Sequence, residues 1–353
     1  MKPLFVTSLS EYSGKNLILL GLGKRFQKEG YKVGLFKPFG AFPTRVDNIL
    51  TDEDTVFFRK VLNLDDSLAD MCPCVINDSL IEDVLEGEAT DIFDKIKSSY
   101  ERIAKGKDVV LVESLGDLSF GGFMGAPFEM LIKEFDGKSV IVDAPKWLNQ
   151  MLDGFVNARN KIGDALIGAV VNKVKPGKLE FYNKLVKPYL QKQGIELLGI
   201  MGKDALLSSV SVNEICDALG GDVICCHDKM DGVVEKFSIG AMNVESALRH
   251  MRKLRNQALI VGGDRADIQL AALETSTTCM ILTGGLMPNE IILSKATAAG
   301  VPILLVKGDT GAVVERVESL LGHLSLRSES KVDRAVEIVN KEIDFDKILK
   351  GLM

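Results

Sequence analysis

The chain has 353 residues, 46% of them apolar and 26% charged. These values exclude wholesale disorder, collagen and coiled-coil architecture and leave enough apolar material for about two domains. Its 43 basic and 49 acidic residues leave a net charge of -6, which argues against a nucleic-acid partner, because such proteins draw their affinity from Lys and Arg on phosphates.

In chain order, 4–7 predicts a buried strand, 16–29 a helix with apolar residues at Leu17, Leu20, Leu22 and Phe26, and 33–37 a second strand closed by Pro38. Gly30 ends the helix between them. Further strands are expected at 109–112, 139–143, 166–171 and 197–201, with helices at 127–135 and 179–193 among them. A second series follows a boundary at 204–213. It has strands at 222–226, 258–261, 279–282 and 302–306 and a helix at 245–253, and 332–349 reads as one terminal amphipathic helix. Strands alternating with helices imply an α/β protein: a doubly wound, mostly parallel sheet over 1–204, a second, smaller α/β domain over 205–325, and a helical tail over 326–353.

No apolar run approaches the roughly 18 residues of a membrane span. Met1-Lys2-Pro3 leads straight into a strand without a signal-peptide pattern. A cytoplasmic protein with no membrane partner is expected. The six cysteines, Cys72, Cys74, Cys216, Cys225, Cys226 and Cys279, lack the paired spacing of a zinc site and read as reduced thiols.

The stretch Thr7-Ser8-Leu9-Ser10-Glu11-Tyr12-Ser13-Gly14-Lys15-Asn16 follows a strand and opens a helix, the setting of a phosphate loop. Backbone N–H groups from Ser10 to Asn16 and the helix N-terminus would face the phosphates, and Lys15 would reach the terminal ones. Two positions depart from the usual pattern. Leu9 stands where a glycine is usual, and Asn16 stands where Ser or Thr normally meets Mg²⁺. Asp54 precedes a helix beyond the second strand, either as a metal ligand or as an N-cap. Glu113 ends a parallel strand, at the edge where open α/β sheets bind ligands. Gly262-Gly263-Asp264-Arg265 and Thr283-Gly284-Gly285 end two strands of the second domain. There Arg265 either grips a phosphate or carboxylate or pairs with Asp264 to pin two loops.

Residues 1–204 resemble the dethiobiotin-synthetase-like P-loop domain at the N-terminus of long phosphate acetyltransferases. The resemblance is carried by Val6 to Lys15, Phe36 to Pro38, Asp52 to Asp54, Val110 to Gly116 and Val170 to Val174. Residues 205–325 resemble a DRTGG domain through Asp264, Arg265, Thr283, Gly284 and Gly285. The first resemblance implies ATP and Mg²⁺ as cofactors, with Lys15, Lys37, Asp54 and Glu113 serving nucleotide, metal and substrate. It also implicates Asn172 in base recognition and suggests a homodimer. Mg²⁺ would be held by Asn16, Asp54 and Glu113, and Lys15, Lys37 and Glu113 would be the catalytic groups of an enzyme. The second resemblance implies a regulatory ligand site. Because the acetyltransferase domain of the long enzymes does not follow, phosphotransacetylase activity is not expected.

Three functions are therefore weighed. The first is an ATP-binding regulator that couples the P-loop domain to the DRTGG sensor and is linked to acyl-phosphate or acetyl-CoA metabolism. The second is a Mg-ATP-dependent ligase, carboxylase or hydrolase of the dethiobiotin synthetase type. The third is a scaffold for an acyltransferase-type partner.

Overall fold

The computed structural model describes residues 1–10, 12–323, 326 and 328–353. It divides into two units, Met1–Lys203 with Leu326–Met353, and Asp204–Ser325. The first unit runs β1 (Leu4–Ser8), α1 (Lys15–Lys28), β2 (Val33–Phe36), the antiparallel hairpin β3 (Pro43–Val46) and β4 (Ile49–Asp52), then α2 (Glu53–Val61). It continues through β5 (Val109–Glu113), β6 (Lys138–Asp143), β7 (Leu166–Val174) and β8 (Leu197–Gly202), with further helices between them. The six long strands form one sheet in the order β8-β7-β6-β1-β5-β2, and every pairing is parallel. The doubly wound expectation holds. β1 and β5 are buried along their whole length, as strands covered by helices on both faces must be.

Helix α1 buries Leu17, Ile18, Leu19, Leu20, Leu22 and Phe26. The 179–193 segment, read as one helix, contains a wide π turn at Tyr182–Val186 between α-helical pieces.

The second unit carries β9 (Asp222–Cys225), β10 (Lys236–Ile239), β11 (Gln257–Gly262), α3 (Ala266–Leu273), β12 (Thr277–Thr283), β13 (Ile303–Leu305) and α4 (Thr310–His323). Its sheet runs β9-β13-β12-β11-β10, parallel except that β9 lies antiparallel on β13. Two apolar clusters cover its faces, one with Ala258, Ile260 and Ile281, the other with Leu259, Val261 and Leu282. The period-2 alternation of β11 divides its side chains between them.

The terminal segment forms two helices, α5 (Glu329–Glu342) and α6 (Phe345–Leu352), where the sequence predicts one. The break has a physical cause. Ile343 pairs with Gly199 beside β8, the Asp344 N–H donates to the Leu198 carbonyl at 2.9 Å, and the Asp344 side chain caps the Lys347 N–H. Those bonds draw the chain out of the helix. The tail belongs to the first unit. The Lys2 N–H donates to the Leu352 carbonyl at 3.2 Å, and α5 lies so close to α1 that a methyl group on Gly21 would overlap the Val339 side chain.

Gly21→Ala should therefore destabilise the protein by about 1–3 kcal/mol, the usual cost of overpacking, although alanine is the better helix former. Urea unfolding checks this, and a variant as stable as wild type would show that the α1–α5 contact yields freely.

Candidate functional site

The loop after β1 is shaped by its neighbours. Gly14 adopts φ +102° and opens α1 with Lys15 as the first helical residue. That left-handed conformation favours glycine, and a methyl there would overlap the Asn172 amide. Asn172, at the end of β7, donates from Nδ2 to the Ser13 carbonyl at 2.9 Å, and its Oδ1 accepts the Lys173 N–H at 2.8 Å. Lys173 Nζ donates to the Tyr12 carbonyl at 2.7 Å. Tyr12 and Lys173 both stand at positive φ. Leu9, the residue in the usual glycine place, lies where a methyl on Gly154 would overlap it, so a glycine in helix Leu148–Ile162 makes room for it. Ser10 Oγ donates to Asp143 Oδ1, and Lys15 Nζ donates to Ser8 Oγ at 2.8 Å. Asn16 is half-buried at the start of α1. Glu11 lies outside the described residues. No side chain caps α1 at Gly14, and its first turn holds no acidic residue, so the helix dipole there favours an anion.

Beside the loop is a buried cluster. Phe36 of β2 is in register with Val112 of β5, which sets Lys37 and Glu113 side by side at the carboxyl edge. Lys37 Nζ lies 2.8 Å from Asp52 Oδ1, 3.1 Å from Asp54 Oδ2 and 3.1 Å from Glu113 Oε1. Lys37 is only 1% exposed and Glu113 3%. Asp52 is the N-cap of α2 and also accepts the N–H groups of Asp54, Thr55 and Phe42. Asp54, one residue inside the helix, is thereby turned to Lys37 rather than to the helix end. Burial works against the Lys37 charge, but Glu113, Asp54 and Asp52 outweigh it and hold the ammonium well above its ordinary value. Burial pushes the Glu113 carboxyl up, against the pull of Lys37, to about 7. Burial also raises Asp143, opposed by its bond from Ser10.

The donor set suits Mg²⁺. All donors are hard oxygens, three carboxylates face one ammonium, and Glu113 Oε2 is buried without a hydrogen-bond partner in the protein. Among the described residues no three of His, Cys, Asp and Glu stand arranged as a metal cage, because the carboxylates converge on Lys37. Mg²⁺ rarely uses an all-protein cage and is usually bound through one or two carboxylates together with phosphate oxygens and water.

In the second unit, Gly262 is in register with Thr283 across β11 and β12, so both turns lie at one sheet edge. Arg265 pairs with Asp267 at 3.0 and 3.1 Å and donates to the Met242 carbonyl. Its carboxylate partner is thus Asp267, where the sequence suggested Asp264. Gly284 and Gly285 stand at positive φ, and their N–H groups donate to the carbonyls of Gly308 and Val306. The Thr283 and Thr310 hydroxyls are 2.8 Å apart. The glycines therefore join two strand ends by backbone hydrogen bonds.

Sequence reasoning passed over Asp52, Asp143 and Lys173. Asp143 carried the same signal as Glu113, a carboxylate at the end of a parallel strand. Asp52 and Lys173 are recognisable only from the packing around them.

Residues 2–211 match the AAA domain family and residues 214–320 the DRTGG domain. Phosphate acetyltransferase of Synechocystis sp. is 23% identical over 372 residues, covering 99% of this chain and 51% of that protein. The chain spans about half the length of the curated relatives it matches first. ATP-dependent dethiobiotin synthetase of Methanocaldococcus jannaschii is 26% identical over 207 residues, covering 56% of this chain and 92% of that one. Among solved structures, the CBS and DRTGG domains of the regulatory region of Clostridium perfringens pyrophosphatase, in complex with the activator diadenosine tetraphosphate, match with 21% identity and a TM-score of 0.29. That match covers 33% of this chain and 49% of the other. No helix among the described residues is long and apolar enough to cross a membrane.

The raised Glu113 value makes folding depend on pH. The folded protein holds a proton that the unfolded chain loses above about 4.5, so this stabilisation is full below about 4.5 and is lost as pH rises through about 7. With metal chelated, Glu113→Gln should gain stability relative to wild type between pH 5 and pH 8. An unchanged difference between the two proteins across that range, in urea titrations, would refute the burial argument.

Proposed function

This chain belongs to the AAA domain family and joins a P-loop domain of the dethiobiotin synthetase type to a DRTGG domain; on that premise we propose that it is a nucleotide-responsive regulator that binds ATP with Mg²⁺ in its first unit. One observation carries the reading. A 14-residue helix opens on a left-handed glycine with Lys15 at its first position, and no side-chain cap or acidic residue occupies the start. Such an N-terminus is an anion site, and Lys15 adds the charge that terminal phosphates require. Asn172 and Lys173 hold the loop through its carbonyls, so the backbone is set before a ligand arrives. Asp54, Glu113 and the Asn16 amide oxygen would hold Mg²⁺, which would neutralise phosphate charge.

The enclosure of Lys37 supports binding ahead of ligation. In the ligase resemblance Lys37, with Lys15 and Mg²⁺, stabilises the charge of the transferred phosphoryl group, whereas here it is 1% exposed and surrounded by carboxylates. The second unit is read as the sensor, with Arg265 meeting an anionic effector. The likeness to phosphate acetyltransferases over 99% of the chain supports a link to acyl-phosphate or acetyl-CoA metabolism through an acyltransferase.

At about 100 times its Kd, ATP with Mg²⁺ should stabilise the protein by roughly 2.7 kcal/mol, a rise in Tm of about 5–11 °C for a unit of this size. Lys15→Ala should abolish the rise. A rise of equal size in Lys15→Ala, or none in wild type, would sink the P-loop reading.

The sensor reading has its own check. In Lys15→Ala, any nucleotide that still raises Tm should lose that effect when Arg265→Ala is added. Retention of the effect in the double variant would remove Arg265 from the effector site.

A further inference from the structure

Three carboxyl groups surround one ammonium in a largely buried site. The three partners of Lys37 are not equivalent. Asp52 is fixed: Oδ1 accepts from Lys37 and from the N–H groups of Asp54 and Thr55, Oδ2 accepts from Phe42, and the residue is fully buried. Glu113 is not fixed in this way. Its Oε1 faces Lys37, while its Oε2 is buried with no hydrogen-bond partner in the protein. Such an oxygen is costly unless something else meets it. Asp54 gives Oδ2 to Lys37 at 3.1 Å. Three N–H donors on one ammonium match the three carboxylates, so Lys37 already occupies the position from which a cation would draw its ligands.

We propose that Lys37, anchored on Asp52, is a resident cation that competes with a divalent metal for Asp54 and Glu113, so that the cluster admits the metal only together with the phosphate oxygens of a nucleotide. The inference rests on the reading of this site as a nucleotide site. It adds that metal and nucleotide bind as one event rather than in succession. A hydrated Mg²⁺ alone would have to displace an ammonium that already holds three carboxylates, and Mg²⁺ dehydrates reluctantly. Phosphate oxygens at the Lys15 loop supply the missing ligands, and Glu113 Oε2 gains a partner.

The test uses Mn²⁺ as the probe on the full, nucleotide-free chain, with free Mn²⁺ read by electron paramagnetic resonance. Wild type should bind Mn²⁺ at least tenfold more weakly without ADP than with it. Lys37→Met should bind Mn²⁺ without nucleotide at least tenfold more tightly than wild type. Equal affinity in Lys37→Met and wild type, or wild-type binding that ADP does not strengthen, would overturn the proposal. Should Lys37→Met fail to fold, Lys37→Gln keeps hydrogen-bond donors without the charge and carries the same expectation. A third measurement needs no variant. In wild type labelled with ¹⁵N-lysine, the protected Lys37 ammonium resonance should be unmoved by Mg²⁺ alone and displaced by Mg²⁺ with ADP; a resonance unmoved by both together overturns the proposal. If ADP does not bind wild type at all, the nucleotide reading fails, and the comparison of Lys37→Met with wild type in Mn²⁺ alone still decides whether Lys37 excludes the cation.

Discussion

The ligand edge of the first unit depends on one buried ammonium. Lys37 ties the end of β2 to the end of β5 through Glu113, and ties both to the hairpin and α2 through Asp52 and Asp54. Desolvating such charges is expensive, and removing one partner of a buried pair typically costs 3–5 kcal/mol because its mate is left uncompensated. The surroundings are built to the same end. Gly40 approaches Asp52 and Cys72 too closely for a side chain, and burial pushes the Cys72 thiol up, with Asp52 adding to it. That thiol is therefore a packing group against the cluster and not a nucleophile.

Both units place glycine-containing turns at the carboxyl ends of parallel strands, yet they use the backbone differently. In the first, Gly14 turns the chain so that a helix N-terminus faces the loop, and the fixing bonds go to the carbonyls of Tyr12 and Ser13. In the second, the N–H groups of Gly284 and Gly285 fix the turn itself. The two edges look alike in sequence, but only the first leaves a helix start suited to an anion. At the second, Arg265 pairs with Asp267 and the hydroxyls of Thr283 and Thr310 meet each other.

The strands and the loop were legible because their signals are local. Continuous Val/Ile/Leu runs mark the buried strands, and Ser13-Gly14-Lys15 after a strand marks the phosphate loop. Glu113 was legible because parallel strands aim their last side chains at the crevice. What stayed hidden depends on partners distant in the chain. The break between α5 and α6 follows from the bonds of Ile343 and Asp344 to Gly199 and Leu198, and an amphipathic pattern does not record them. The edge strand β9 runs antiparallel, which alternation alone does not reveal. Asp52 looked like one more acid in Asp-Glu-Asp until its three backbone bonds and its ion pair with Lys37 were placed.

The docking of α5 and α6 onto the first unit bears on how the chain assembles. Residues 204–325 lie between the bulk of that unit and its last two helices. During synthesis from the amino end, the first sheet emerges long before Val339 reaches Gly21 or Ile343 reaches Gly199. Until then α1 and β8 present bare apolar surface, and the nascent chain has time to mispair. The second unit, an uninterrupted stretch, can finish first. Completion of the first unit is then a late docking step across a folded insert, and folding the insert first shortens the loop that must be closed.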